Sequence, residues 1–274
     1  MSNAATELSE PFRTLWQGED PFQAVEKLEG EVFRELEARR TLRTAVSGRG
    51  YFVKIHRGIG WAEIIKNLVC MRLPVLGASN EWQAIKRLEQ LGVSTMKGVA
   101  FGNRGINPAT QHSFIVTEEL TPTISLEDYC RDWPKQPPLP ALKRALIRRV
   151  ADMAGRMHRG GINHRDFYIC HFLLSTEPAP TPEKLTLSLI DLHRAQIRSA
   201  TPRRWRDKDL AALYFSALDI GLTQRDIFRF LITYFAQPLR AILHDDANSL
   251  ARLQNEARQL RARYLRKTSQ GEAF

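Results

Sequence analysis

With 274 residues, 43% of them hydrophobic, and a formal net charge of +10, the chain can build one large domain or two lobes around a real core. It has no run of ~18 apolar residues, which excludes a spanning helix. The polar, acidic start from Met1 to Pro11 carries no signal-like pattern, so a cytoplasmic location is expected. Three widely spaced cysteines, Cys70, Cys130 and Cys170, suit reduced thiols better than a disulfide framework or a zinc cluster. So basic a surface seeks a polyanion, but without a zinc-finger spacing, an RNP-like aromatic pattern or a basic heptad region no nucleic acid is expected.

In chain order, Phe12, Leu15 and Trp16 precede a turn at Gly18–Pro21 and an unassigned stretch to Arg40. Alternation over Thr41–Val46 predicts a half-exposed strand, Ser47–Gly50 a hairpin turn, and Tyr51–His56 a second strand holding a single lysine, Lys54. Trp61, Ile64, Ile65, Leu68 and Val69 recur at helical spacing until Pro74–Gly77 breaks the pattern. Ser79-Asn80 then caps a helix carrying Glu81, Trp82, Ile85, Leu88 and Leu91, ended by Gly92. Val93–Phe101 and His112–Thr117 read as strands, and Glu118–Leu120 leads into a linker, with a lobe boundary near residue 120. A short helix follows from Ser125, then the proline-rich loop Trp133–Pro140.

Leu142, Leu146, Val150, Met153 and Met157 mark a long amphipathic helix over 140–159, stopped by Gly160-Gly161. The chain then enters Asn163-His-Arg-Asp-Phe-Tyr-Ile-Cys-His171, with three polar residues in a row between apolar segments, and a strand pair at Phe172–Ser175 and Leu185–Ile190 that ends on Asp191. Polar groups in such a place are costly unless hydrogen-bonded or chemically employed. Helices are expected over 208–218, 223–235, 238–243 and 246–266, with a short disordered tail from Lys267.

This order of elements, with Lys54, His164-Arg165-Asp166 and Asp191 at its diagnostic positions, resembles the protein-kinase-like fold. The resemblance implies an α+β, two-lobed architecture: a small β-rich nucleotide-binding lobe over 1–120 and a larger, mostly helical catalytic and acceptor-binding lobe over 121–274. It implies ATP and Mg²⁺, with Lys54 on the α- and β-phosphates, Glu81 or its rival Glu63 holding Lys54, and Glu118 to Leu120 offering backbone groups to adenine. Asp166 would accept or orient the hydroxyl proton and Asp191 would bind metal, while His164, Arg165 and Asp209 give structural support. Two departures stand out. His171 replaces the usual metal-ligating Asn, which leaves it three roles: metal ligand, phosphate contact or hydrogen-bond partner of Asp166. No G-x-G-x-x-G loop exists, so the phosphates are expected under the 30–36 turn near Gly30.

A closer resemblance runs through Ile64-Ile-Lys-Asn-Leu, Leu73-Pro-Val-Leu-Gly77, Glu119–Cys130, Asn163–Leu174, Ile190–Gln196 and Pro202-Arg-Arg-Trp-Arg-Asp-Lys-Asp-Leu210. These runs are similar to the lipopolysaccharide core heptose(I) kinases of Gram-negative bacteria, whose pattern has Cys at the position of Phe167. The resemblance implies phosphorylation of the first inner-core heptose on a lipid A–Kdo–heptose acceptor at the cytoplasmic face of the inner membrane. Arg194, Arg198, Arg203, Arg204 and Arg206, clustered with Lys208 right after Asp191, would hold the acceptor's anionic groups. It also implies an association with acyl carrier protein, to which the basic last helix would be suited. Two alternatives remain at this point: a kinase of the same fold acting on a protein tyrosine or another carbohydrate, and a non-catalytic scaffold binding acidic lipid or protein.

Overall fold

The computed structural model describes residues 4–36, 38–69 and 77–270, without the side chains of Glu63, Asn67 and Leu68. Its chain forms two compact units: Met1–Arg87 with Met96–Glu119 and Leu192–Arg194, and Leu88–Thr95 with Leu120–Asp191 and Ala195–Phe274.

The first unit contains β1 (Ala4–Leu8), α1 (Phe12–Leu15), α2 (Pro21–Glu26), β2 (Glu31–Leu36), β3 (Arg39–Val46), β4 (Arg49–His56), α3 (Gly60–Val69), most of α4 (Ser79–Gln90), β5 (Gly98–Arg104) and β6 (His112–Glu118). The strands make one six-stranded antiparallel sheet in the order β1-β5-β6-β4-β3-β2. The β3–β4 hairpin closes through Ser47-Gly48, both at positive φ (50° and 76°), which matches the right-handed twist of paired strands. Alternation sends Tyr51, Val53 and Ile55 to a buried face covered by Phe12, Trp16 and Phe22 of α1, its C-cap and α2. Edge-on aromatic contacts, Phe12–Tyr51 at 5.0 Å and Phe22–Phe114 at 5.2 Å, lock that layer. The same alternation puts Phe52, Lys54 and His56 on the other face.

Two strands depart from expectation. β1 had no counterpart in the sequence reading, and Glu31–Leu36 is an exposed edge strand rather than a turn. β2 pairs with β3 out to Leu36–Arg39, and Gly30 serves strand approach: a Cβ there would lie 2.0 Å from the Arg43 carbonyl oxygen. The expected helix break at Pro74 lies outside the described residues.

The second unit adds β7 (Thr123–Ser125), α5 (Leu126–Cys130), α6 (Pro140–Arg159), β8 (Ile162–Asn163), β9 (Phe172–Ser175), β10 (Leu187–Leu189), β11 (Gln196–Ile197), α7 (Arg203–Ser216), α8 (Gln224–Phe235), α9 (Leu239–Asp245) and α10 (Ala247–Ser269). α6 buries the predicted stripe of Leu142, Leu146, Val150, Met153 and Met157. Gly161 (φ 85°) is required where the chain leaves α6, since a Cβ would meet the Arg198 carbonyl at 2.0 Å. That close approach lets β8 pair with β11, while β10, β9 and β7 form a second small sheet. α8 starts with a Thr223–Asp226 capping box. α7 begins at Arg203, five residues before the expected start, because its first turn is charged and carries no apolar period. α10 continues to Ser269 where a disordered tail was expected. Cys130 and Cys170 are free thiols, and Cys70 lies outside the described residues.

Candidate active site

In the first unit, Lys54 Nζ meets Glu81 Oε1 at 2.7 Å, so α4 supplies the partner of the strand lysine. The side chain of the rival Glu63 lies outside the described residues. Glu81 is only 1% exposed, and its Oε2 has no hydrogen-bond partner among the described residues. Beyond Lys54, His56 is buried and held neutral, its pKa pushed down to about 3 by burial and then by Arg39, Lys54 and His193. At the expected hinge, the Glu118 amide donates to the Lys97 carbonyl (2.9 Å) and the Glu118 carboxylate accepts from Lys97 Nζ (2.9 Å). The next carboxylate, Glu119, accepts from Arg43 Nε at 2.8 Å. In the second unit, the Leu120 carbonyl accepts from Thr123 Oγ1 at 2.8 Å.

The second unit holds the other predicted residues. Asp209 of α7 accepts from the His164 amide at 2.6 Å and the Arg165 amide at 2.9 Å, and lies 3.2 Å from His158 Nε2. Tyr234 continues this chain at 2.8 Å from His158 Nδ1. His158 and Tyr234 were not singled out from sequence; nothing in their helical spacing separates them from core residues. Asp209 thereby props the loop whose Arg165 takes the left-handed φ of 76°.

His164 is fully enclosed and neutral because burial lowers its pKa, so its Nε2–H donates to the Ile190 carbonyl (2.9 Å), one residue before Asp191. Phe167 is completely buried against His158, His164 and Phe172, with ring centroids 5.9, 5.6 and 5.3 Å away. The His171 ring stacks near His164 (5.7 Å, 20° between planes). Its Nδ1–H donates to the Asp166 carbonyl at 2.6 Å, and Nε2 lies 3.5 Å from Asp191 Oδ2. A carbonyl only accepts, so the proton sits on Nδ1 and, in the neutral ring, Nε2 turns its lone pair toward Asp191.

The predicted metal fits this donor set. One carboxylate and one imidazole nitrogen, the latter oriented by a backbone carbonyl, suit a divalent cation that completes its shell with phosphate oxygens and water. No cluster of three or more His, Cys, Asp or Glu able to hold a metal occurs among the described residues.

The predicted acceptor arginines do not gather at one point. Arg203 donates to Ser249 (2.7 Å) and Asp246 (2.5 Å), bracing α7 to α10, while Arg206 donates to Asp207 (3.1 Å) within α7 and lies 3.6 Å from Asp246. Arg198 and Arg204 instead flank the Trp205 ring, and Arg194 belongs to the first unit. The second unit also carries a partly open apolar pocket of about 560 Å³ lined by Leu126, Leu146, Leu213, Phe230, Leu231 and Leu250, among others. No helix among the described residues is long and apolar enough to cross a membrane.

A half-buried strand lysine paired with a buried helix carboxylate, an Asp-propped His-Arg-Asp loop and a strand-end Asp define a kinase of the protein-kinase-like fold. More narrowly, the chain belongs to the lipopolysaccharide kinase (Kdo/WaaP) family, whose model matches residues 23–234. It is 64% identical over 265 residues to the lipopolysaccharide core heptose(I) kinase WaaP of Pseudomonas aeruginosa, covering 97% of this chain and 98% of the relative. With the protein of the same name from Escherichia coli K12 it shares 59% identity over 261 residues, 95% of this chain and 98% of the relative. A solved structure described as WaaP in complex with acyl carrier protein superposes with a TM-score of 0.84 at 60% identity, covering 93% of this chain and 99% of that one.

Proposed function

We propose that the protein transfers the γ-phosphoryl group of ATP to the first heptose of a lipopolysaccharide inner core. The observation that carries the reading is the Lys54–Glu81 pair. A partly buried ion pair gains little stability after its desolvation cost, and here one oxygen of the buried Glu81 carboxylate has no hydrogen-bond partner among the described residues. Such a pair makes physical sense as a fixed cationic mount for phosphate. The relatives' names favour heptose over a protein tyrosine, another carbohydrate or a scaffold role.

In this reading Lys54 holds the α- and β-phosphates, and backbone groups from Glu118 to Leu120 face adenine. Asp166 orients the sugar hydroxyl and takes its proton, on a loop that Asp209 keeps rigid. Asp191 and His171 would hold Mg²⁺, which when bound would neutralise charge on the phosphates. Arg194, Arg198 and Arg204 contact the acceptor, while Arg203 and Arg206 keep α7 in place.

The acceptor is a lipid A–Kdo–heptose glycolipid, and the protein works at the cytoplasmic face of the inner membrane as a peripheral protein. Acyl carrier protein is its proposed partner, as it is in the solved relative. The arginines of α10, among them Arg258 and Arg266, would meet its acidic surface, and the apolar pocket beside α10 would accept an acyl chain.

The deciding experiment supplies ATP and heptosylated lipid A–Kdo to the wild type and to Asp166→Ala. Phosphate on the heptose that disappears in the variant is expected. No transfer by the wild type removes the acceptor assignment, and near-full transfer by Asp166→Ala removes the role given to Asp166.

A further inference from the structure

Four cationic side chains surround one indole in the second unit. The guanidinium carbons of Arg165, Arg198 and Arg204 lie 5.9, 5.9 and 5.4 Å from the Trp205 ring centroid, and Lys208 Nζ lies 5.1 Å away. A single cation on an aromatic face is ordinary, occurring about once per 70–80 residues. Four on the same ring is different, because each added charge repels the others while the quadrupole of one indole is shared among them.

Arg198, Arg204 and Lys208 have no carboxylate partner among the described residues. Arg198 donates to two neutral amide oxygens, Asn163 Oδ1 (2.5 Å) and Gln196 Oε1 (2.7 Å), which fix its position and leave its charge intact. Arg204 and Lys208 are exposed and form no ion pair with any described carboxylate. Asp209 is buried and occupied by the amides of His164 and Arg165, and Asp207 is taken by Arg206 and Ser249. The cluster is also tied to the catalytic loop. Trp205 and Asp209 are four residues apart on α7, so one helix collects the cations and grips the backbone from which Arg165 projects.

We infer that Trp205, Arg165, Arg198, Arg204 and Lys208 form an oxyanion-binding subsite that takes an acidic group of the acceptor, a sugar carboxylate or a phosphate. Bidentate guanidinium donors and a lysine point charge suit that chemistry, and the indole gives a rigid floor that keeps the donors apart without supplying a competing anion. The identity of the occupant rests on the acceptor proposed above; the subsite itself does not. It adds Arg165 and Trp205 to the acceptor contacts and removes Arg203 and Arg206 from them.

The test titrates the full-length protein with inorganic phosphate while following tryptophan fluorescence. A saturable change in the wild type is expected, absent in Trp205→Phe and shifted on the order of tenfold to weaker binding in the double variant Arg204→Ala/Lys208→Ala. With lipid A–Kdo–heptose the double variant should raise the acceptor KM by a similar factor, leaving the KM for ATP unchanged and the loss outside kcat. Carboxyl-reduced and dephosphorylated acceptors separate the two sources: the one on which wild type and double variant no longer differ lacks the bound group. A double variant that melts with the wild type yet binds phosphate and acceptor equally well overturns the subsite. Phosphate binding that depends on the cluster, in a wild type that phosphorylates no heptose, keeps the subsite and removes the acceptor reading.

Discussion

The imidazole of His171 donates from Nδ1 to the carbonyl of Asp166 at 2.6 Å, which aims its other nitrogen at Asp191, 3.5 Å away. Two of the three roles open to this residue are therefore compatible at once, since the bond that orients the catalytic-loop backbone also prepares a ligand nitrogen. Imidazole is a softer donor than the amide oxygen usual at this position and favours Mn²⁺ over Mg²⁺ more than an oxygen ligand does. His171→Asn should shift the ratio of Mn²⁺ to Mg²⁺ affinity toward Mg²⁺ on the order of tenfold. Electron paramagnetic resonance of bound Mn²⁺ in the presence of ATP, competed with Mg²⁺, reads the change directly, and an unchanged ratio would detach His171 from the metal.

Asp209→Ala would strand the buried amide of His164 and the half-buried amide of Arg165, together with the His158 ring. Removing one member of a buried charged network costs about 3 kcal/mol or more. The expected outcome is a lower melting temperature and a fall in kcat, with little change in the KM for ATP. Thermal unfolding and steady-state kinetics check the two halves of that statement separately.

Gly30→Ala should destabilise the β2 edge without touching any charged site residue, because the added methyl meets the Arg43 carbonyl. Forcing a carbon into occupied space costs about 1–3 kcal/mol. Hydrogen exchange should show the loss concentrated in 31–36 and 39–46, and uniform exchange across the unit would contradict the local account.

His56 links stability to acid. Its folded pKa, near 3, lies below the ordinary histidine value of 6.5, so the unfolded chain binds the proton more readily. The stabilisation is complete above about pH 6.5, declines as the pH falls, and is gone once the folded pKa has been passed. Within that window this one group contributes a slope of up to about 1.4 kcal/mol per pH unit. Glu26, Asp20 and Asp226, whose pKa values are lowered mainly by hydrogen bonds to Arg57, to Arg104 and to Thr223 and Lys143, act in the same direction at lower pH. Chemical denaturation of wild type and His56→Gln between pH 7 and 4.5 should show the shallower slope in the variant.

Where apolar period and turn chemistry act alone, the sequence was readable. The α6 stripe and the Ser47-Gly48 hairpin needed nothing from the rest of the chain. β2 escaped because Glu31-Val-Phe-Arg-Glu-Leu lies exposed at a sheet edge and has no buried face to impose alternation. The first turn of α7 is hidden in the sequence because Arg203, Arg204 and Arg206 show charge where a helix signal needs apolar spacing. At the site, Lys54, Asp166 and Asp191 stood out as polar residues within apolar segments. Trp205 did not, since its role depends on cations drawn from three separate segments, 165, 198 and 204–208, and such convergence is a property of the fold.

Asp191 sits at φ 63°, a backbone region that Asn and Asp enter far more readily than other side chains with a Cβ. The main chain therefore dictates which knock-out can be interpreted. Asp191→Asn deletes the negative charge while preserving local backbone preference, so any lost phosphotransfer reports on chemistry. Asp191→Ala or Asp191→Val would add a conformational penalty of ~1–3 kcal/mol to the same measurement, confounding the two.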